Sequence, residues 1–404
     1  MTLTLLLDLD NTLLDNDMKV FIPAYLQGLS RCLASYAEPE RVVESLLAAT
    51  MRMIENDRPN RTLKETFDTH FYPSLGLDYH LLQEPIAAFY HHEHPKLRAL
   101  TQARSQAVEL IRSALARGYR IAIATNTLFP QTATYQRLEW AGFPPDKYPF
   151  EHITTYETSH FAKPNPAYYA EILAYLGWPD EPVIMVGDDL KQDIGGANQL
   201  GISTFWIRQN GNRVSANSAK PTASGSLAGV LPWIDSLDPD SLMPDYDTPS
   251  AIQATLRATP AALANLLPTT RSGRHRSEER WGFRPEPNEW NLNEVICHLR
   301  DVEAKVHLPR LQRVIEDENP FIAGVDTDSW VERYKYHLQD GKAALEAFVA
   351  NRMQTLDLLS STDETDWQRP GRHAIFGPTR FQELSHFMAE HDRLHLTQIK
   401  RLLR

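Results

Sequence analysis

Cysteine is scarce in this sequence, and long hydrophobic runs are missing. Only Cys32 and Cys297 occur among the 404 residues, so a disulfide framework is excluded and a reducing compartment is favoured. No apolar run approaches the roughly 18 residues that a membrane-spanning helix needs. The start of the chain lacks the basic segment of a signal peptide and soon reaches two aspartates. We therefore expect a cytoplasmic protein that is not associated with a membrane.

A surplus of positive charge is missing as well. The chain has 41 Lys and Arg residues against 52 Asp and Glu residues, which gives a formal net charge of -11. Electrostatic binding of nucleic acid needs a basic face, so this composition argues against a nucleic-acid partner. At about 100 to 200 residues per domain, the length predicts two or three domains, and two is the simplest interpretation.

Short apolar runs alternate with helical patterns in the first part of the chain. The runs lie at 3–7, 121–125, 183–187 and 203–207. Between them, segments such as 105–119 and 164–177 have apolar residues at helical spacing and end at glycine. This alternation predicts an α/β fold with a parallel sheet. The stretch from about 16 to 100 interrupts the alternation, which indicates an inserted helical subdomain.

A change of composition separates this part from the rest. From 209 to 250 the sequence is rich in Asn, Ser, Pro, Gly and Asp, which predicts loops with a short helix near 227–237. We place the first domain at 1–238 and a linker at 239–249. Further on, β-rich runs disappear and the second domain, at 250–404, is predicted to be an all-α four-helix bundle. Its helices are expected near 250–267, 291–317, 328–360 and 379–403.

Two of these helices begin with patterns typical of a capping box, "NLNE" at Asn291 to Glu294 and "TRFQ" at Thr379 to Gln382.

Aspartates follow two of the predicted strands. Asp8 and Asp10 lie two residues apart after the first strand, so in extended backbone their side chains point to the same side. Crowded carboxylates repel, so such a pair needs a cation or a raised pKa on one member. Asp188, Asp189 and Asp193 follow a later strand and add oxygen ligands of the kind that Mg²⁺ prefers.

Other predicted strand ends supply groups that suit phosphate. Thr125 ends a third strand and offers a hydroxyl, and Lys163 precedes a helix and offers an ammonium group. A carboxylate nucleophile, a metal, a hydroxyl and an ammonium group together match a phosphoryl-transfer site. Each aspartate alone could be a solvated strand-end residue, but the ordered set is not explained in that way.

The order of these motifs resembles the haloacid dehalogenase-like (HAD) hydrolases over about residues 1–238. The motifs are Asp8-x-Asp10-x-Thr12, Thr125, Lys163-Pro164 and Gly187-Asp188-x4-Asp193. The resemblance implies a Rossmann-like domain with a helical C1 cap, at about 16–100, which closes over the site and selects the substrate. Dehalogenases lack a carboxylate at the place of Asp10, so this residue favours phosphatase activity on a small phosphorylated metabolite.

The resemblance also implies catalytic roles. Asp8 would attack phosphorus and form an aspartyl phosphate, and Asp10 would act as acid to the leaving group and then as base to water. Thr125, Asn126 and Lys163 would hold the phosphate group.

The same resemblance implies a magnesium site. Mg²⁺ would be bound by Asp8, by the backbone carbonyl of Asp10 and by Asp188. Asp189 or Asp193 would complete the shell or orient the lysine.

Histidines interrupt the apolar stripe of the last predicted helix. That stripe contains Leu384, Met388, Ile399 and Leu402. His391 and His395 occupy the steps between, point the same way at i and i+4, and need a shared buried partner. His298 lies at the edge of the inner face of the second helix. Three neutral imidazoles from two facing helices could bind one divalent transition ion and leave coordination sites open.

These stretches resemble the DinB-like metal-binding four-helix bundles, a group that includes thiol-dependent transferases. The matching residues are "WNLNEVICHL" around His298 and "EHDRLHLTQI" around His391 and His395, and the similarity spans about 250–404. The resemblance implies a transition metal at the three histidines, and Zn²⁺, Ni²⁺ and Fe²⁺ all suit imidazole ligands. The alternative is a bundle whose histidines lie in a polar core without metal.

The other candidate ligands are interpreted as structural. Cys297 is turned about 100° from its neighbour His298 and is expected to pack in the bundle. His307 and His386 are expected to be exposed. The stretch "YHHEHP" at 90–95 holds three histidines and a glutamate and is interpreted as a solvated turn.

The sequence thus favours a bifunctional enzyme, a Mg²⁺-dependent phosphatase of small phosphomonoesters fused to a DinB-like bundle. One alternative makes the bundle the active part, which would transfer a low-molecular-weight thiol at its three-His metal. Another makes it a non-catalytic binding or dimerisation module, and as a dimerisation module it would make the protein a homodimer.

Overall fold

The computed structural model describes residues 2–208, 218–267 and 280–403. Residues 209–217, part of the predicted loop region, lie outside the described residues. None of the described helices is long and apolar enough to cross a membrane. The chain divides into two units. They comprise Met1–Ile172 with Pro179–Asp245, and Leu173–Trp178 with Tyr246–Arg404.

A parallel six-stranded sheet forms the core of the first unit. The strands of this unit are Thr4–Leu7 (β1), Leu14–Asn16 (β2), Thr101–Ala103 (β3), Arg120–Ile123 (β4), His152–Ile153 (β5), Val183–Gly187 (β6), Ser203–Ile207 (β7) and Ala223–Gly225 (β8). The sheet has the order β5-β4-β1-β6-β7-β8, and all neighbouring pairs are parallel. The predicted α/β fold is confirmed, although the sequence pattern misses the short strands β5 and β8.

The central position of β1 decides where the site can form. All four of its residues are buried on both faces of the sheet, and for this reason its sequence is a mainly apolar run in which apolar and polar residues do not alternate. Leu7 lies beside Ile123 of β4 on one side and Val186 of β6 on the other. The chain therefore changes direction across the sheet at β1, and ligands of open α/β sheets bind beyond the carboxyl ends at such a switch point.

Nine α-helices of the described residues belong to this part of the chain. They are Met18–Cys32 (α1), Pro39–Ile54 (α2), Leu63–Leu75 (α3), Tyr79–Ala88 (α4), Ser105–Ala116 (α5), Gln131–Trp140 (α6), Pro166–Leu176 (α7), Gly196–Gln199 (α8) and Val230–Asp235 (α9). The first four lie between the antiparallel strands β2 and β3 and form the cap, which confirms the predicted helical insertion.

Local signals in the sequence set the bounds of the cap helices. Thr62 and Glu65 form a capping box at the start of α3, and Gly76, with φ of 67°, ends it in the left-handed conformation. The inner side of the cap is apolar, and Phe21 and Phe71 are fully buried. Burial of these side chains holds the cap on the sheet domain.

The second unit is mainly helical, and the predicted bundle is confirmed. Its helices among the described residues are Pro249–Leu266 (α10), Leu292–Val302 (α11), Leu308–Glu316 (α12), Trp330–Arg333 (α13), Gly341–Ser360 (α14) and Phe381–Leu402 (α15). A π-helical turn at Glu303–His307 joins α11 to α12. The capping box at Asn291 is present, but α15 is capped one residue later than expected, at Arg380.

The sequence interpretation is wrong in expecting no strands after residue 249. Phe321–Ile322 (β9), Pro370–His373 (β10) and Gly377–Arg380 (β11) form a small sheet of order β11-β10-β9. The segments "PGRH" and "GPTR" lack β-branched or aromatic alternation, so nothing local predicts them. They pair because Gly377, with φ of 75°, turns the chain between β10 and β11.

Arg352 of α14 is fully buried in the bundle and holds two buried carboxylates. Its guanidinium donates to Glu303 at 3.0 and 2.9 Å and to Asp392 at 2.6 and 3.0 Å. A fifth bond, to the carbonyl of Leu256, links the same side chain to α10 at 3.0 Å. Such bidentate pairing satisfies charges that burial alone would make unfavourable.

Candidate active site and metal centre

The predicted aspartates lie at the carboxyl edge of the central sheet. Asp8 directly follows β1 and is 7% exposed, while Asp188 directly follows β6 and is half-buried. Thr125 lies two residues beyond β4 and is buried. Since these strands are parallel neighbours, their ends place a carboxylate, a hydroxyl and a second carboxylate at one edge.

Lys163 connects two of these carboxylates. Its Nζ atom lies 2.8 Å from Oδ1 of Asp8 and 2.5 Å from Oδ1 of Asp193, and all three side chains are buried. Burial opposes the charge of Lys163, but the carboxylates of Asp193 and Asp8 raise its pKa well above the ordinary value. The ammonium group is therefore held in its charged form.

Gly187 makes room for this arrangement. A Cβ atom at this position would lie 2.2 Å from Oδ2 of Asp193, which is closer than real contacts allow. The same Oδ2 atom accepts a hydrogen bond from the backbone N–H of Asp189 at 2.9 Å. The glycine at the end of β6 is thus required by the close approach of Asp193.

Three carboxylates are crowded enough to suit a divalent cation. Oxygen atoms of Asp8, Asp188 and Asp193 lie within 4.8 Å of one another. Burial raises the pKa of Asp8 to about 7; Lys163 opposes the rise and Asp193 adds to it. Burial also raises the pKa of Asp188 to about 8, and Asp8 and Asp193 add to that rise. Carboxylate oxygens that lie this close repel one another when charged, and they are the ligands that Mg²⁺ prefers.

The other two aspartates lie outside this group of three. Oδ1 of Asp189 accepts hydrogen bonds from the backbone N–H groups of Lys191 and Gln192, both at 2.8 Å, so Asp189 caps the turn after β6. Asp10 has its carboxylate directed to other partners. Asn16 donates to its Oδ1 at 2.7 Å, and Arg137 donates to its Oδ2.

Arg137 is a site residue that the sequence interpretation missed. It lies on α6, is fully buried, and stacks on Phe129 at 4.5 Å. No local signal identifies it, because α6 lacks an apolar stripe and the partner Asp10 is 127 residues away in the sequence.

Asn126 contacts the two segments that carry Lys163 and Asp193. Its Nδ2 donates to Oε1 of Gln192 at 2.9 Å, and its Oδ1 accepts from the backbone N–H of Lys163 at 3.3 Å. The carbonyl of Thr125 accepts hydrogen bonds from Thr154 at 2.8 Å and Tyr168 at 2.7 Å. These contacts fix the backbone at the end of β4 and leave the Thr125 and Asn126 side chains at the cavity.

A cavity of about 420 Å³ lies above these residues, between the sheet domain and the cap. Its floor includes Asp8, Asp10, Thr125 and Asp188, and its walls come from α1 to α4 and from the segment that directly precedes α6. The volume falls in the range of small-molecule sites, about 300 to 1,000 Å³.

The second unit brings three histidines together. Nε2 of His391, on α15, lies 3.0 Å from Nε2 of His298, on α11, and 3.2 Å from Nε2 of His395. Hydrogen bonds among three such nitrogens cannot all form at once. The spacing is close to the roughly 3.3 Å between neighbouring nitrogens around a tetrahedral zinc with bonds of about 2.0 to 2.1 Å.

Burial keeps these imidazoles neutral. It lowers the pKa of His298 to about 3, and the pKa values of His391 and His395 also fall, with burial as the main cause. Neutral imidazole is the form that binds metal. Nδ1 of His395 lies 2.9 Å from Oε1 of Gln398, the kind of contact that orients a metal-bound ring, and Trp290 stacks on the same ring.

His307 corrects an expectation, because it is not exposed. Its ring centroid lies 5.2 Å from that of His391, and its Nε2 is buried without a hydrogen-bond partner among the described residues. Burial lowers its pKa to about 3. Counting 100° per residue would turn His307 about 180° from His298, but the π-helical turn at Glu303–His307 breaks that count.

The expected burial of Cys297, His386 and residues 90–95 can also be compared with the structure. Cys297 is buried, as expected of a packing residue. His386 is half-buried, with Nδ1 3.0 Å from Asp247. The stretch 90–95 is not a solvated turn, because it forms helical turns and His94 is fully buried against Trp140.

Comparison with known families agrees with both halves of the chain. Residues 2–201 match the model of the haloacid dehalogenase-like hydrolases, and residues 251–399 match that of the DinB superfamily. Both resemblances drawn from the sequence motifs are therefore confirmed.

Curated relatives of the chain include two phosphatases. Pyrimidine 5'-nucleotidase PynA of Streptococcus pneumoniae is 32% identical over 123 residues, which is 30% of this chain and 49% of the relative. Glyceraldehyde 3-phosphate phosphatase of Pyrococcus furiosus is 29% identical over 124 residues, 30% of this chain and 48% of the relative. The chain spans about half the length of these relatives.

Solved structures are similar to this chain at lower sequence identity. A HAD phosphatase from Thermococcus onnurineus is 22% identical, with a TM-score of 0.38, over 58% of this chain and 98% of the other. YfiT of Bacillus subtilis, which has a four-helix bundle of unusual topology, is 17% identical, with a TM-score of 0.33, over 39% of this chain and 88% of the other.

Proposed function

Because the chain joins a haloacid dehalogenase-like hydrolase domain at residues 2–201 to a DinB superfamily domain at residues 251–399, we propose that the first domain hydrolyses small phosphomonoesters with Mg²⁺. The substrate would be a small phosphorylated metabolite. The observation that carries the proposal is the contact of Lys163 with Asp8 and Asp193 beneath the cavity.

Asp8 is the proposed nucleophile. Lys163 holds its Oδ1 at 2.8 Å, which leaves Oδ2 for the new bond to phosphorus. As that bond forms, the bond from phosphorus to the ester oxygen breaks, and the phosphoryl group passes to Asp8 as an aspartyl phosphate. The charged Lys163 and the hydroxyl of Thr125 would bind the phosphate oxygens.

Asp10 is the proposed acid and base. It would give a proton to the departing alcohol, and then take a proton from the water that attacks phosphorus and releases inorganic phosphate. Asp10 lines the cavity, and Asn16 and Arg137 hold its two oxygens in place. The carboxyl group is thus oriented before the substrate binds.

Asp8, Asp188 and the backbone of Asp10 are the proposed holders of Mg²⁺. A Mg²⁺ ion held there would supply positive charge to neutralise the phosphate. Of the two remaining aspartates, Asp193 suits the orientation of Lys163, because it contacts Nζ at 2.5 Å. Asp189 is engaged as a cap of the next turn.

Replacement of Asp8 by Asn tests this function in the full chain. The variant keeps the shape of the side chain but loses the nucleophile, so hydrolysis of an aryl phosphate in Mg²⁺ should fall to background. Asp240→Asn, at an exposed aspartate outside the site, is the control and should keep full activity. Activity retained in the Asp8 variant would rule out the phosphoryl mechanism.

For the second domain we propose a transition metal bound by His298, His391 and His395. The three converging Nε2 atoms support this proposal. The full chain should then purify with about one equivalent of Zn²⁺, Ni²⁺ or Fe²⁺, and a double variant with Ala at His391 and His395 should lose it. His386→Ala, on the same helix but outside the cluster, should keep the metal.

Transfer of a low-molecular-weight thiol at this metal is the second candidate function. The open coordination positions that three ligands leave favour it over a closed structural site. If it is correct, consumption of thiol with an aryl halide should depend on the three histidines and be unchanged in the Asp8→Asn variant. A metal-loaded chain without such activity would favour a binding or dimerisation module.

A further inference from the structure

The cap contributes an apolar and aromatic wall to the active-site cavity. Every cap residue that lines it is uncharged. Phe67 stacks on Phe71 with ring centroids 4.9 Å apart, and Tyr72 meets Phe71 edge-on at 5.1 Å. These residues, here called the aromatic wall, present ring faces and edges to the cavity.

Two tyrosine hydroxyls of the cap are already paired with one another. The hydroxyls of Tyr25 and Tyr90 lie 2.7 Å apart, and both side chains line the cavity. Burial raises the pKa of Tyr25 to about 12, so its hydroxyl stays neutral. The polar atoms of this pair therefore add no charge to the wall.

All charges that line the cavity are negative and lie on its floor. They are Asp8, Asp10, Asp188, Asp189 and Asp193. No lysine, arginine or histidine lines the cavity in the part of the chain that the structure describes. Lys163 and Arg137 are buried and directed to Asp8, Asp193 and Asp10.

This distribution of charge has a consequence for the leaving group of the substrate. A second anionic group on it would face the hydrocarbon and aromatic carbon of the cap, whose lining residues include no cationic side chain. Moving an unpaired carboxylate from water into such surroundings is strongly unfavourable. A neutral ring would instead gain contact with the aromatic wall.

We propose that this site selects phosphomonoesters whose leaving group is uncharged, largely apolar and large enough to carry a ring. The proposal rests on the phosphatase function proposed above and adds the substrate class. The cavity volume of about 420 Å³ leaves room for such a group beside the phosphate. Phosphorylated hydroxy acids, whose leaving group carries a carboxylate, are excluded as preferred substrates.

Binding of two matched phosphonates, which cannot be hydrolysed, tests the proposal separately from catalysis. Benzylphosphonate and 4-carboxybenzylphosphonate differ only by the carboxylate. Calorimetry on the full chain in Mg²⁺ should show at least about tenfold tighter binding of the neutral ring. Equal affinities, tighter binding of the carboxylated ligand, or no binding of either would overturn the proposal.

A cation introduced at the rim provides a second measurement. Leu47 lines the cavity and is 47% exposed, so Leu47→Lys should fold normally and offer the wall a positive charge. The preference for the neutral ligand should shrink by about threefold or more, as expected of an exposed ion pair. Leu81→Lys, at a 54% exposed leucine of α4 outside the cavity, is the matched control and should leave the ratio unchanged.

The two proposals can fail independently. If benzylphosphonate binds preferentially but benzyl phosphate is not hydrolysed, the phosphatase function is wrong and the preference of the cavity stands. If benzyl phosphate and 4-carboxybenzyl phosphate are hydrolysed with equal kcat/KM, the phosphatase function stands and the substrate class is wrong.

Discussion

Arg137 and Asp10 form an ion pair in which a fully buried guanidinium contacts the proposed acid and base. Asn16 holds the other oxygen of the same carboxylate at 2.7 Å. Arg137 contacts Asp10 behind the cavity, so it acts as a positioning residue and would not touch the phosphate. Its position ties the orientation of Asp10 to α6.

The first prediction concerns this pair. Arg137→Gln should lower kcat by about 10²-fold, because general acid and base catalysis contributes about 10²- to 10⁴-fold and depends on orientation. KM should change much less, since Arg137 does not line the cavity. Steady-state kinetics on benzyl phosphate measures both constants.

Arg137→Lys is the companion variant, because it keeps the charge but has a shorter reach and a single donor group. It should recover part of kcat. If both variants lower kcat and raise KM by similar factors, Arg137 has a general structural role and the prediction is contradicted.

Sequence motifs predict the sheet domain well because its site residues lie directly beyond strands. Asp8 follows an apolar run, and the Gly187-Asp188 pair marks the end of another. The position of these residues in the sequence therefore predicts that they lie at the carboxyl edge of the sheet. Helical spacing likewise predicts that His391 and His395 share a face. Such short-range patterns do not depend on how distant segments pack.

The residues that sequence reasoning misses depend on packing at long range. Arg137 reaches its partner only because the fold brings α6 close to the segment that follows β1, and no local pattern encodes that approach. His307 approaches His391 because a π-helical turn changes the helical register by an amount that α-helical counting does not include. Both cases arise where tertiary structure overrides local periodicity.

A second prediction follows from the close approach at Gly187. Gly187→Ala should displace Asp193, since a Cβ atom would lie 2.2 Å from its Oδ2. Lys163 would lose one of its two carboxylate partners, so kcat/KM should fall at least about tenfold, with a loss of about 1 to 3 kcal/mol in unfolding free energy. Kinetics and urea unfolding measure the two effects.

Gly229→Ala is the control for that substitution. The nearest atom to its added Cβ is Cζ of Phe205 at 3.6 Å, an ordinary contact, so activity should be unchanged. If Gly187→Ala proves as active as this control, the packing argument for Gly187 is wrong.

A third prediction concerns pH and His94. Burial lowers the pKa of this histidine to about 4, from an ordinary value near 6.5. The unfolded chain therefore binds a proton at His94 first as pH falls, and the folded state loses stability between about pH 6.5 and 4. The loss should reach about 3 kcal/mol below that range, with no such contribution above pH 7.

Urea unfolding of the wild type and a His94→Gln variant, compared at pH 7.5 and 5, isolates this effect. The wild type should lose more stability than the variant on acidification. His91→Gln, at an exposed position three residues earlier, should behave like the wild type. Parallel pH curves for the wild type and His94→Gln would show that His94 makes no such contribution.

The last prediction concerns Arg352 and its two carboxylate partners. Arg352→Met keeps most of the side-chain volume but leaves Glu303 and Asp392 buried without their cation. Removing one partner of a buried ion pair costs about 3 to 5 kcal/mol, and two facing carboxylates add repulsion.

Hydrogen exchange of α14 amides should therefore show a fall of that size in opening free energy at pH 7.5. Arg313→Met, which removes an exposed pair with Asp317 at 3.4 Å, should change the opening free energy by no more than about 1 kcal/mol.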